Sequence, residues 1–339
     1  MLKFEIGRFF DFFFLVVPLM AFCLSFSVSF SYQYPVGVDV YEHFKIADFW
    51  LNGNVTGLLE YPYPPMFHWL LVPFVASGTQ IGFARLLQSV CYPLSVLGFM
   101  FLCWKHVDKR AAVWCGALLL GCFAFFDRVI QAQPQALDFV LLPVAFDAVL
   151  DWKPKRFALV SFLLMLNHAP MSLVALIGAY AYSVVKHRHE LRNMMLIMSP
   201  LFLVAAFLLA YLSRVDYLFA YNFFVSQNAQ ESAFWSNPLV YALLQFAPLF
   251  PALPLAFRQA FRWRSLSELE KLSLLTLAGL LLLVPSSVDR FWNYATIPLS
   301  ILLACYHNKW KWLVIPVVLV GVCVPWIYLF ANAYYVVVP

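Results

Sequence analysis

The chain has 339 residues, of which 63% are hydrophobic and 12% charged, and its mean hydropathy is +0.80. A soluble domain carries about twice that charged fraction, so these residues cannot cover a water-facing surface. The net charge of +5 does not point to nucleic acid, because the basic residues lie in short segments between apolar runs.

In chain order, Lys3 and Arg8 precede an apolar stretch from Phe9 to Phe30. It is long enough to span a bilayer and lacks a small-residue cleavage site, so it reads as a retained first span. Further apolar stretches predict spans near 79–104, 111–126, 136–150, 157–167, 171–185, 193–212, 238–257, 271–285, 294–306 and 312–332. Asn167, His168 and Pro170 interrupt the 157–185 stretch, which is taken as two helices joined at a tight turn. The expectation is an all-α, polytopic transmembrane helix bundle of about eleven spans, forming one domain over 1–339.

Loop charge orients it. The N-terminus and segments 105–110, 153–156, 186–192, 258–271 and 309–311 hold 17 of the 22 basic residues, and they alternate with loops nearly free of them. Cytoplasmic loops are the Lys/Arg-rich ones, which places the N-terminus inside and the C-terminus outside. The other five basic residues, Lys45, Arg85, Arg128, Arg214 and Arg290, fall on or just inside the outer face, as do two long loops, 31–79 and 213–237.

In the first long loop Val40, Phe44, Ala47 and Leu51 recur at helical spacing, which predicts an amphipathic helix in the interface plane. Asp39, Glu42 and His43 are expected on its other face. A helix cap with Glu42 three residues on explains Asp39 as well as a catalytic carboxylate does. Asp127-Arg128, Arg214 with Asp216, and Asp289-Arg290 stand at three outer span ends. Each pair alone reads as a salt bridge; together with Lys45 and His168 they predict a shared polar cavity, whose arginines suit an anionic ligand such as phosphate. His187 and His189 read as part of a solvated basic turn. His68 follows two prolines at the start of an apolar segment, where packing rivals chemistry. The seven cysteines are scattered through apolar runs without a CxxC pair and read as small buried hydrophobes. There is no phosphate-binding glycine loop and no GxSxG, HExxH or EF-hand pattern.

An ordered set of short motifs carries a resemblance. A first span is followed by Asp39 and the segment EHFKIADFWLNGN, then Tyr63-Pro64-Pro65-Met66-Phe67-His68-Trp69-Leu70 and Gly82-Phe83-Ala84-Arg85-Leu86-Leu87. Asn167-His168-Ala169-Pro170 takes the place of a short outer turn, and Asp289-Arg290-Phe291-Trp292-Asn293-Tyr294 leads into an Ile-Pro-Leu span. In this order and topology the chain resembles the GT-C superfamily of glycosyltransferases, in particular the protein O-mannosyltransferase and aminoarabinose-transferase branch. It departs from that pattern in having Val40 rather than a second acidic residue after Asp39, and Tyr63 rather than a basic residue before Pro64-Pro65.

The resemblance implies inverting transfer of a sugar from a polyprenyl-phosphate donor to an acceptor hydroxyl on a lipid, glycan or protein. Asp39 becomes the candidate base, with Glu42 and His43 beside it. Arg290 is the first choice for the donor phosphate, with Arg214, Arg128, Lys45, His168 and Tyr63 as further candidates. His68 and Glu60 are assigned to the acceptor. No cofactor is required; a divalent metal (Mg or Mn) could be held by Asp39 with Glu42 or His43. Membrane lipids are expected neighbours and nucleic acid is not. The plasma membrane is the expected location, with the endoplasmic reticulum as the alternative. The rival readings are a flippase or transporter of lipid-linked sugars and a non-catalytic subunit of a glycosylation complex; a missing internal repeat and polar residues gathered on one face disfavour transport.

Overall fold

A computed structural model describes residues 2–31, 35, 40–54, 65–212, 249, 252–281 and 288–306. Within them are twelve α-helices, one short 3-10 helix (Trp263–Ser265) and no strand: α1 (Leu2–Ser31), α2 (Val40–Leu51), α3 (Pro65–Ala76), α4 (Gln80–His106), α5 (Lys109–Leu120), α6 (Phe123–Ile130), α7 (Pro134–Leu150), α8 (Pro154–His187), α9 (Leu191–Leu212), α10 (Ala252–Ala260), α11 (Glu268–Leu280) and α12 (Val288–Cys305). The predicted 312–332 span and most of 238–257 lie outside the described residues.

Among the described residues two helices, Phe10–Ser31 and Gln80–His106, are long and apolar enough to cross a membrane, and α5 with α6 makes a third if the bent pair is one span. Burial along α1 shows what surrounds it. Val17, Ala21, Ser25 and Val28 are buried, and Ser25 Oγ donates to the Ser89 carbonyl of α4 at 2.9 Å. The opposite stripe, from Phe12 (62% exposed) and Leu15 (73%) through Leu19 to Phe30, is apolar and bare. An exposed apolar stripe running along a 30-residue helix suits hydrocarbon and not water.

Two predicted spans have a different shape. The 111–126 stretch is broken at Gly121-Cys122, where α5 and α6 meet at 74°. The Gly121 amide closes the last turn of α5 on the Ala117 and Leu119 carbonyls, and Cys122 is extended, so α6 starts in a new direction. As a result Asp127 and Arg128 lie within a helix and not in a loop. Similarly, α12 begins at Val288, so Asp289 and Arg290 occupy its first turn.

α8 is a hairpin of two arms, as Asn167, His168 and Pro170 predict. Pro170 supplies no amide hydrogen, so one ladder bond is lost where His168 breaks the helical conformation. His168 takes a non-helical conformation (φ −154°, ψ 68°). Contacts between the arms show the reversal. Phe157 packs edge-on against Tyr180 at 5.2 Å, and Trp152, just before α8, stacks on His187 at its far end with ring centroids 3.6 Å apart. Both ends of α8 therefore lie at one end of the bundle and the turn at the other.

The second arm packs on α11 through small residues. A Cβ on Gly178 would overlap the backbone of Thr276, and one on Gly279 would come within 2.8 Å of Ile177. Close backbone approach of this kind needs glycine. Gly178→Ala must push the helices apart and should cost about 1–3 kcal/mol. A lowered unfolding temperature in detergent checks it, with Gly82→Ala, where a Cβ meets nothing within 4 Å, as the neutral control.

Most of the described charged side chains gather at the end where α8 begins and finishes. Lys105 donates to Asp147 (2.6 Å) and Asp151 (2.7 Å), Lys153 to Asp151 (2.6 Å), and Arg156 to Asp147 (3.3 Å). Lys186 and Tyr182 reach Glu268, and Lys109 pairs with Asp11. Hydrogen bonds from Lys105 and Lys153 hold Asp151 down at about 2. Burial raises the Glu268 carboxyl, but bonds from Lys186, Tyr182 and Lys271 outweigh it and hold it down at about 2. The basic segments 105–110, 153–156 and 186–192, with the start of α11, thus meet at one end. His187 is engaged with Trp152 and Glu190 and is not a freely solvated ring. Of the cysteines, Cys91, Cys103, Cys115 and Cys122 are buried; Cys23 is exposed on α1.

Candidate functional site

The opposite end is built by α2, α3, the start of α7, the turn of α8 and the start of α12. Val40, Phe44 and Ala47 of α2 pack with Phe67 and Leu71 of α3, Ala84 of α4 and Ala132. This is the predicted apolar face, except that Leu51 is 43% exposed. Trp50 and Trp69 meet edge-on at 5.6 Å and are both partly exposed, as aromatic side chains at an interface often are.

His43 does not lie on the outer face of α2 with Glu42. It turns inward, 4% exposed, where its Nδ1 lies 3.0 Å from Nε2 of fully buried His68. One ring must donate and the other accept, so the contact needs at least one neutral imidazole. Burial first, and then the proximity of His68 and His168, hold His43 at about 3. Its folded value lies below that of the unfolded chain, so the unfolded form takes up the proton first as pH falls. Stability is full above about pH 6.5 and is lost toward pH 3, by about 2 kcal/mol at pH 5. Unfolding temperatures at pH 7.5 and pH 5 check this: His43→Gln should show a flatter profile than the native chain, and equal acid sensitivity would refute it.

Beside this pair lies a fully buried carboxylate, Asp138 of α7. Asn167 Nδ2 donates to its Oδ1 (2.8 Å) and to the Pro134 carbonyl (2.6 Å), and Tyr294 of α12 donates to its Oδ2 (3.1 Å). His168 Nδ1 lies 3.4 Å from the same Oδ2, while its Nε2 faces the Gln135 amide nitrogen at 3.5 Å. The Gln135 amide nitrogen can only donate there, so Nε2 accepts; Nδ1 makes no hydrogen bond to a described residue. Three helical elements are thereby joined on one acceptor: α7, the α8 turn and α12. The arrangement places a histidine 3.4 Å from a buried carboxyl group, next to a second pair of histidines.

The predicted residues divide as follows. The fold brings His43, His68 and His168 together. Glu42 is exposed. Lys45 is exposed too and extends over the Phe49 ring of its own helix at 5.5 Å, away from the His43 face. Arg128 is half-buried in α6, beside Asp127, whose Oδ1 accepts from Gln131 at 3.2 Å. Arg290 is placed by its helix alone, one turn ahead of Tyr294, and its side chain lies outside the described residues. Asp39, Glu60, Tyr63 and Arg214 also lie outside them. Asp138 and Asn167 were not singled out by sequence as site residues. The pointer was present: a carboxylate inside an apolar span is costly unless it serves a purpose.

A metal could be sought at His106, Asp147 and Asp151, whose ligand atoms lie within 4.8 Å of one another. The Lys105 ammonium already bonds both carboxylates, so an ion there would have to displace it. Metal ligation by Asp39 with Glu42 or His43 rests on a residue outside those described.

No family model, curated protein or solved structure matches the chain.

Proposed function

We propose that the chain is a multi-pass membrane glycosyltransferase of GT-C type, moving a sugar from a polyprenyl-phosphate donor to an acceptor hydroxyl at the outer face. One observation carries the reading: in an overwhelmingly apolar chain, His43, His68, His168, Asp138 and Tyr294 converge at the end of the bundle opposite the basic segments. By the charge rule for loops the basic end is cytoplasmic, which leaves the convergent polar end outside. Eleven crossings, N-terminus inside and C-terminus outside, belong to this proposal, as does the plasma membrane as location.

In this reading Asp39, one residue ahead of α2, takes the acceptor proton as its oxygen bonds the anomeric carbon. The bond from that carbon to the donor phosphate breaks, and the charge that develops on the phosphate is met by Arg290 at the start of α12, with Arg214 and Arg128 in support. His168, beside Asp138, stands on the same side. The short helices α2 and α3 lie beside the site like a shelf at the interface, where a lipid-borne phosphate would wait. The lipid tail explains the apolar surface, since such a donor never leaves the membrane.

The test is transfer of label from polyprenyl-phosphate sugars to candidate hydroxyl acceptors by the purified chain in lipid. Transferred label supports the reading. Movement of the labelled lipid across the bilayer without transfer means a flippase instead, and neither activity with any donor means a non-catalytic subunit.

A further inference from the structure

We propose that the cleft between the starts of α8 and α9 binds the phosphate headgroup of an anionic phospholipid. This rests on the reading that the bundle sits in a membrane, not on the transfer reaction. The cleft is at the basic end, far along α8 from the His168 turn, and has a volume of about 830 Å³. Four cations line it, Lys153, Lys155, Arg156 and Arg192, with Met195 and Leu196 on its apolar wall.

The charges are not cancelled. Lys153 and Arg156 are bonded to Asp151 and Asp147, which Lys105 also shares. Lys155 and Arg192 are exposed and have no ion-pair partner among the described residues. Glu190, the nearest carboxylate in sequence to Arg192, is bonded to Trp152, Asn193 and His187. The first turns of two long helices also face the cleft, and their positive ends add to the four side chains.

The apolar surface beyond the cleft decides between a lipid and a free phosphate. Leu159 (59% exposed) stands one turn past Lys155 on α8, and Met195 (73%) and Phe202 (72%) stand two turns apart on α9. A headgroup in the cleft would lay its acyl chains along these bare side chains, whereas a soluble phosphate has no use for them. Basic pockets between helices on the cytoplasmic side recognise acidic lipid in this way.

The experiment is native mass spectrometry of the purified full chain in mild detergent, with phosphatidylglycerol or phosphatidylcholine added and no sugar donor present. Phosphatidylglycerol should be retained in preference, and Lys155→Gln with Arg192→Gln should weaken retention about 30-fold at low salt. Arg262→Gln with Arg264→Gln, at exposed arginines elsewhere, should leave it within about threefold. Equal loss in both double variants, or no preference for the acidic lipid, overturns the proposal. So does inorganic phosphate competing as well as the lipid, which would make this a soluble-anion site. Should the cleft variant fail to fold, the native chain still decides: its preference must fall as salt is raised, and a salt-independent preference is contradictory. Because no transfer is read, a negative result in the glycosyl-transfer assay leaves this outcome intact.

Discussion

Asp138→Ala should lower the stability of the purified chain by about 2–5 kcal/mol. The carboxylate is fully buried and accepts from Asn167 and Tyr294, with His168 beside it. Its loss strands donors on the α8 turn and on α12, each worth about 1–3 kcal/mol when left unpaired in the interior. Tyr294→Phe removes only one of those donors and should cost about 1 kcal/mol. The two changes should be non-additive, since Asp138 without Tyr294 has already lost that bond. Thermal unfolding in detergent reads all three variants. A cost below about 1 kcal/mol for Asp138→Ala would mean that water or a neighbouring group replaces the carboxylate, and that the cluster does not set the α8 turn.

Asp39→Asn should reduce sugar transfer by about 10²–10⁴-fold while leaving folding unchanged. The substitution separates two roles that sequence spacing cannot. Asparagine caps a helix as well as aspartate does, so a purely structural Asp39 would tolerate it. A base would not, because the amide cannot take a proton from the acceptor. Asp39→Ala, which removes both roles, should also loosen α2 by about 1 kcal/mol. Glu42→Gln, at an exposed position of α2, should change transfer little. Retained transfer in Asp39→Asn would remove Asp39 from the chemistry and leave it as a cap.

The helices bounded by charge were legible. The predicted 79–104 and 193–212 correspond to Gln80–His106 and Leu191–Leu212, because charged residues mark where an apolar run must end. The α8 turn was legible for a local reason as well: a proline and two polar residues interrupt an apolar stretch. The bend between α5 and α6 was not, since the run from Ala111 to Phe126 is almost unbrokenly apolar and direction is set there by packing. The face of α2 was half legible. Val40, Phe44 and Ala47 follow helical spacing, but His43 turns inward because its partner, His68, comes from 25 residues away. Asp138 was missed for a similar reason. Its donors lie 29 and 156 residues distant, so periodicity carries no trace of them. Reading charges at span ends drew attention to Asp127 and Asp289 and away from the carboxylate buried one turn inside α7.

Both the transfer site and the lipid site require the two ends of the bundle to lie on opposite sides of one membrane. Single cysteines at Asn54, just past α2, and at His189, between α8 and α9, are exposed positions at those two ends. Treatment of intact cells with a membrane-impermeant maleimide, using the unsubstituted chain as blank, should label Asn54→Cys and spare His189→Cys until the cells are opened. Labelling of His189→Cys alone, or of both in intact cells, would contradict an outer site built on α2, α3 and the α8 turn.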